Sequence, residues 1–139
     1  MTVKIVKKPW GREEWIELND KYCFKKLYIN AGTKTSLQFH ELKKETNYLM
    51  EGEAIFYSSP EGEHAYVAGI GLEWPKPLTI NAQAMTIGEG FTVEPFTIHR
   101  IEAVTDIVIM EVSTPEVDDV IRIQDDSDRP DGKIDSEHE

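Results

Sequence analysis

Gln38 and His40 lie two residues apart in a run of strand-forming residues, a spacing that puts both side chains on one face of a β-strand. Leu37 and Phe39 then face the other way, into apolar packing. Glu45 follows a short polar turn at 41–44, where the chain can double back and return a carboxylate to the face that holds His40. His99, far along the chain, opens another strand after Pro95. Two imidazoles, a carboxylate and an amide oxygen form a mixed nitrogen–oxygen donor set for one divalent ion: zinc first, with manganese, iron, nickel or cobalt as alternatives. The remaining histidines have different settings, His64 in a turn-like loop and His138 in the acidic C-terminal stretch.

Three further residues could move protons or anchor a substrate: Lys25, Glu111 and Arg100. Lys25 shares strand parity with Leu27 and Ile29, so if those two face the interior the lysine does too. An inward lysine beside a metal would have a lowered pKa or bind an anionic group, and a snorkelling lysine at a strand end is the alternative. Glu111 stands among Ile109, Met110 and Val112, where a carboxylate is either paired, with Arg100 or Arg122, or functional.

The elements that must position these residues read as strands. Runs rich in Val, Ile, Tyr, Phe and Thr occur at 2–6, 14–18, 22–29, 36–40, 46–50, 54–58, 78–80, 91–94, 99–103 and 107–112. Turn residues separate them, among them Asn19-Asp20, Glu51-Gly52 and Thr105-Asp106. This spacing predicts an all-β sandwich or barrel. Thr114, Pro115 and Glu116 carry helix-start signals, so a short C-terminal helix is expected over 115–121, with Asp118 and Asp119 capping or solvating it. The segment 64–84, with Gly69, Gly71, Pro75 and Pro77, reads as an insertion: a loop over a pocket mouth or a surface excursion.

Composition narrows the partners. The chain of 139 residues suits one domain, 1–124, followed by a frayed acidic tail, 125–139. That tail has seven acids against Arg129 and Lys133, which leaves −6 of the total −11 on the body. Such a charge argues against nucleic acid and anionic membrane as partners. No apolar run approaches a membrane span, the first eight residues lack a secretory core, and the lone Cys23 can form no intrachain disulfide. A cytoplasmic protein is expected, and a homodimer, since a small open barrel has edge strands to cover, residues 2–6 among them.

The motif resembles the cupin superfamily: Gly32, five residues, Gln38-Phe39-His40, four residues, Glu45, six residues, Gly52. It departs from that pattern in having Gln38 for the first histidine. The second cupin motif is matched more loosely by Gly88 or Gly90, Pro95 and His99, with the Pro-to-His spacing one residue short. Within cupins, Ser36-Leu37-Gln38-Phe39-His40 is similar to the Ser-Leu-Gln-x-His stretch of mannose-6-phosphate isomerases. Lys8-Pro9-Trp10-Gly11, the stretch from Lys25 to Ile29, His99-Arg100, Glu111-Val112, Asp118-Asp119-Val120-Ile121-Arg122 and the stretch from Asp125 to Arg129 resemble segments of the type II enzymes. The resemblance runs from about residue 8 to residue 129 and covers the cupin barrel alone, without the nucleotidyltransferase part. It implies a small jelly-roll barrel, a divalent metal on Gln38, His40, Glu45 and His99, and aldose–ketose interconversion of a sugar phosphate. A non-catalytic cupin that binds a sugar or nucleotide sugar, and another metal cupin such as an Fe(II) dioxygenase, are the competing expectations.

Overall fold

The structure, a computed structural model, describes residues 3–59, 66–68, 71–73, 80–124 and 132–133, with side chains at 3–59 and 80–123. Its strands are β1 (Lys4–Lys8), β2 (Gly11–Leu18), β3 (Cys23–Ile29), β4 (Leu37–Phe39), β5 (Glu45–Glu51), β6 (Ala54–Ser58) and β7 (Tyr66–Ala68). They continue as β8 (Gly71–Glu73), β9 (Asn81–Met85), β10 (Gly90–Val93), β11 (His99–Ala103), β12 (Ile107–Ser113), β13 (Ile121–Gln124) and β14 (Gly132–Lys133). One six-stranded sheet has the order β1-β2-β3-β12-β5-β10 and the other β14-β13-β4-β11-β6-β9, while β7 and β8 pair separately. Every pairing is antiparallel. Sequence neighbours such as β4 and β5 lie in different sheets, which is the jelly-roll way of closing a sandwich.

The inward rows of the strands change character along their length, and this change makes both the core and the site. On β3 the buried row runs Ile29, Leu27, then Lys25; on β12 it runs Ile107, Ile109, then Glu111. On β5 it runs Leu49, Asn47, Glu45, and on β11 Ala103, Ile101, His99. The apolar ends join Trp10, Phe56, Met85 and Val93 in the main core. Each such side chain withdrawn from water contributes about 1.5–3 kcal/mol. The polar ends gather at the other end of the barrel. A second apolar cluster of Leu37, Phe39, Ile98 and Ile121 occupies the opposite face of β4, as the parity of that strand predicts.

Two expectations change. No helix occurs among the described residues: 115–121 forms tight turns, with Val117 N–H donating to the Pro115 carbonyl and Asp119 N–H to that of Glu116, and β13 begins at Ile121. The local helix-start signals lose because Asp119 is taken up by another part of the chain, described below. Of the strand expected at 78–80, residues 78–79 lie outside the described residues; Ile80 precedes β9, whose first four residues are exposed at the sheet edge and so carry no apolar alternation. Within the irregular insertion expected over 64–84, residues 66–68 and 71–73 form the β7–β8 pair and 81–84 belong to β9, while 64–65, 69–70 and 74–79 lie outside the described residues, as does most of the tail expected at 125–139. In that tail Gly132–Lys133 pairs with β13.

Candidate metal centre

His40, just past β4, Glu45, at the start of β5, and His99, at the start of β11, converge with ligand atoms all within 4.8 Å of one another. His40 Nε2 lies 2.6 Å and His99 Nε2 3.5 Å from the same oxygen, Glu45 Oε1. Both rings are held from behind. Nδ1–H of His40 donates to the carbonyl of Asp119 at 2.6 Å, and Nδ1–H of His99 donates to that of Thr97 at 2.9 Å. A carbonyl can only accept, so each ring carries a proton on Nδ1, and in its neutral form presents the Nε2 lone pair inward. Glu45 Oε2 is occupied by the Asn47 side-chain amide at 3.0 Å, which leaves Oε1 to the histidines.

His40 Nε2, His99 Nε2 and Glu45 Oε1 are buried and have no hydrogen-bond partner. Three orphaned acceptors aimed at one point repel one another unless a cation lies among them. The residues present therefore fit a divalent ion, with the outer partners of the imidazoles already in place. Gln38 faces His99 across the β4–β11 ladder and lines the same cavity, its amide oxygen accepting from the Ser36 hydroxyl at 2.7 Å. That oxygen keeps a second lone pair for an ion.

Next to the trio lies a buried chain of charges. Lys43 Nζ stands 3.8 Å from Glu45 Oε1 and 3.8 Å from Glu111 Oε2. Lys25 Nζ stands 3.8 Å from Glu111 Oε2 and 3.5 Å from Glu13 Oε1, and it lies over the Trp15 ring. Trp15 Nε1–H donates to Glu13 at 2.9 Å. Burial alone would raise the Glu45 carboxyl, but the Lys43 ammonium beside it holds it well below the usual range. Glu111 goes the other way: burial, then the neighbouring Glu45 charge, push it up to about 8 despite Lys43 and Lys25. Burial pulls His40 down, keeping it neutral. For Lys43, burial is outweighed by Glu111, Glu45 and Glu13, which raise its ammonium above the ordinary value. The cavity these groups share has about 50 Å³ of room for water-sized bodies, enough for an ion and a few waters.

The structure thus brings Gln38, Glu45, His99, Lys25 and Glu111 to one cavity, with His40 fully buried beside it. Arg100 does not join them. Adjacent residues of a strand face opposite ways, and with His99 inward the Arg100 guanidinium lies on the other face, where Nε–H donates to the Thr35 carbonyl at 3.0 Å. Glu111 is paired, as expected of a buried carboxylate, but with Lys25 and Lys43 rather than with Arg100 or Arg122. Lys43, Glu13 and Asn47 were not anticipated. Parity with Trp15 on β2 and with Glu45 and Leu49 on β5 would have pointed to Glu13 and Asn47; nothing in the polar run 41–44 marks Lys43.

A two-sheet antiparallel barrel with a His-Glu-His cluster at one end of its interior defines a cupin fold. No protein-family model and no characterised sequence matches the chain. Solved structures do match in fold. The capsular polysaccharide assembling protein CapF from Staphylococcus aureus aligns with 88% of this chain at 13% identity and a TM-score of 0.66, the match covering 34% of that protein. KdgF from Halomonas sp. aligns with 84% of this chain and 89% of its own at 14% identity and a TM-score of 0.61. An RmlC-like cupin from Shewanella frigidimarina aligns with 82% and 85% at 17% identity and a TM-score of 0.57. The chain spans about a third of the length of CapF. Among the described residues no helix is long and apolar enough to cross a membrane.

Proposed function

We propose that this protein is a metal-dependent sugar-phosphate isomerase that interconverts an aldose and a ketose, as mannose-6-phosphate isomerases do. The observation that carries the reading is the pairing of the orphaned His40–Glu45–His99 acceptors with a carboxyl, Glu111, that changes protonation near neutral pH in the same cavity. His40, Glu45 and His99, with Gln38, would hold the ion, which supplies Lewis-acid polarisation of a carbonyl and its neighbouring hydroxyl. Glu111 is the group proposed to take and return the proton that moves between C1 and C2. Lys25, fixed between Glu13 and Glu111, keeps that carboxyl in place and offers an ammonium hydrogen to a substrate oxygen. Arg100 has no part in this scheme. The fold likeness to a capsular polysaccharide assembling protein agrees with a role in carbohydrate metabolism. A homodimer joined along the outer strand β1 is part of the proposal, and sedimentation at working concentration tests it.

The test is an isomerase assay across hexose and pentose phosphates, with metal content measured on the same sample. Turnover is expected in wild type, and His40→Ala should lose both metal and turnover. Stoichiometric metal retained after replacement of both His40 and His99 would sink the assignment. Two imidazoles and one carboxylate are also the donor set of Fe(II) oxygenases, which gives a second reading. Oxygen uptake by the iron-loaded protein would select it, and sugar binding without turnover would select a non-catalytic cupin.

A further inference from the structure

The link between His40 and Glu45 is fastened to a segment more than seventy residues away. One oxygen of the Asp119 carboxylate accepts from Glu41 N–H at 3.1 Å, and the other accepts from Leu42 N–H at 2.6 Å and Lys43 N–H at 2.9 Å. The backbone carbonyl of the same residue accepts Nδ1–H of His40. Thr114 completes the fastening: its N–H donates to the Lys44 carbonyl at 3.0 Å, and its hydroxyl oxygen accepts from Lys44 N–H at 3.1 Å. Every backbone N–H from Glu41 to Lys44 is therefore taken by residue 114 or 119.

We propose that Asp119 is a positioning residue of the metal centre, setting the ring of His40 through its carbonyl and the return path to Glu45 through its carboxylate. The proposal rests on the metal reading given above. Three N–H groups converging on one side chain call for an anion, because charge-assisted hydrogen bonds to a carboxylate are stronger and better directed than those to a neutral acceptor. The backbone hydrogen bonds hold the Asp119 carboxyl below its usual range against the opposing effect of burial, in keeping with an ionised acceptor. Since one residue carries both contacts, a shift of its side chain moves the carbonyl that fixes the His40 tautomer. His99 is oriented separately by Thr97 and serves as an internal reference. Asp118, its exposed neighbour, is the matched control.

The full chain and the variants Asp119→Ala, Asp119→Asn and Asp118→Ala would be titrated with Zn²⁺ against a competing chelator. The histidine tautomers would be read in the metal-free proteins from two-bond ¹H–¹⁵N spectra. Asp119→Ala is expected to weaken Zn²⁺ binding on the order of 10- to 100-fold, in the range for loss of a group that orients a ligand. His40 should lose its fixed Nδ1–H form while His99 keeps its own. Asp119→Asn should fall between Asp119→Ala and wild type, and Asp118→Ala should match wild type. Zn²⁺ affinity and a His40 tautomer unchanged in Asp119→Ala would overturn the proposal. If that variant does not fold, the isosteric Asp119→Asn decides on the same two readouts. If wild type binds no Zn²⁺, the functional reading fails, and the His40 tautomer alone decides the positioning role.

Discussion

Replacing Lys43 by Met keeps the length of a buried side chain and removes the cation shared by two carboxylates. One unit pair at 3.8 Å is worth about 4 kcal/mol at an effective dielectric of about 20. Glu111, pushed up to about 8, is mostly neutral at pH 7, so only the Glu45 pair counts in full there. The loss of Lys43 desolvation offsets part of this, but Glu45 is left buried without its cation. We expect metal-free Lys43→Met to be about 3 kcal/mol less stable than wild type near pH 7. For a chain of this size that lowers Tm by roughly 10 °C. The pH dependence has a definite sign. Without Lys43 the folded-state values of both carboxyls rise, so the folded variant binds protons more tightly than the unfolded chain does. The stability held by those protons is present at low pH and is lost as pH climbs through the raised values. The deficit should therefore shrink toward about pH 5 and widen toward about pH 8. Urea titrations of metal-free protein at the two pH values measure it. A variant within about 0.5 kcal/mol of wild type at the higher pH would refute the account of Lys43 as the counter-ion of this cluster.

Gly52 sits at φ +91°, and a β-carbon there would collide with the Asp106 carbonyl oxygen and the Ile107 side chain. Gly52→Ala should lower stability by at least about 2 kcal/mol, seen as a lower urea midpoint with an unchanged m-value. Cys23 is fully buried and burial pushes its thiol up, so it should react with thiol reagents only at the rate at which the fold opens. Rapid stoichiometric labelling of native protein would contradict its placement.

Much of the site is legible in the order of residues because strand parity is a strict rule. Lys25 follows Leu27 and Ile29 inward, Gln38 and His40 share a face, and Glu45 returns to it after the turn. The same rule, applied to His99 and Arg100, places the arginine outside, although both are buried. What escapes the sequence is set by contacts between distant segments. Lys43 stands in a polar run that resembles a solvated turn, and it is buried because Thr114 and Asp119 fold over that turn. The helix expected over 115–121 fails for the matching reason. Asp119 satisfies three amides of residues 41–43 instead of solvating a helix, and these long-range bonds outweigh the weak preference of a seven-residue stretch.

His40 and His99 belong to the sheet of β4 and β11, whereas Glu45 begins β5 in the opposing sheet. A cation bridging them would join the two halves of the sandwich across the seam where the apolar core has ended. Such a bridge acts as a clasp. An ion held only by the closed barrel would stabilise the folded state by an amount that grows with the logarithm of the free-metal concentration over its dissociation constant. The stability of the folded chain, more than its shape, would then follow the free metal around it.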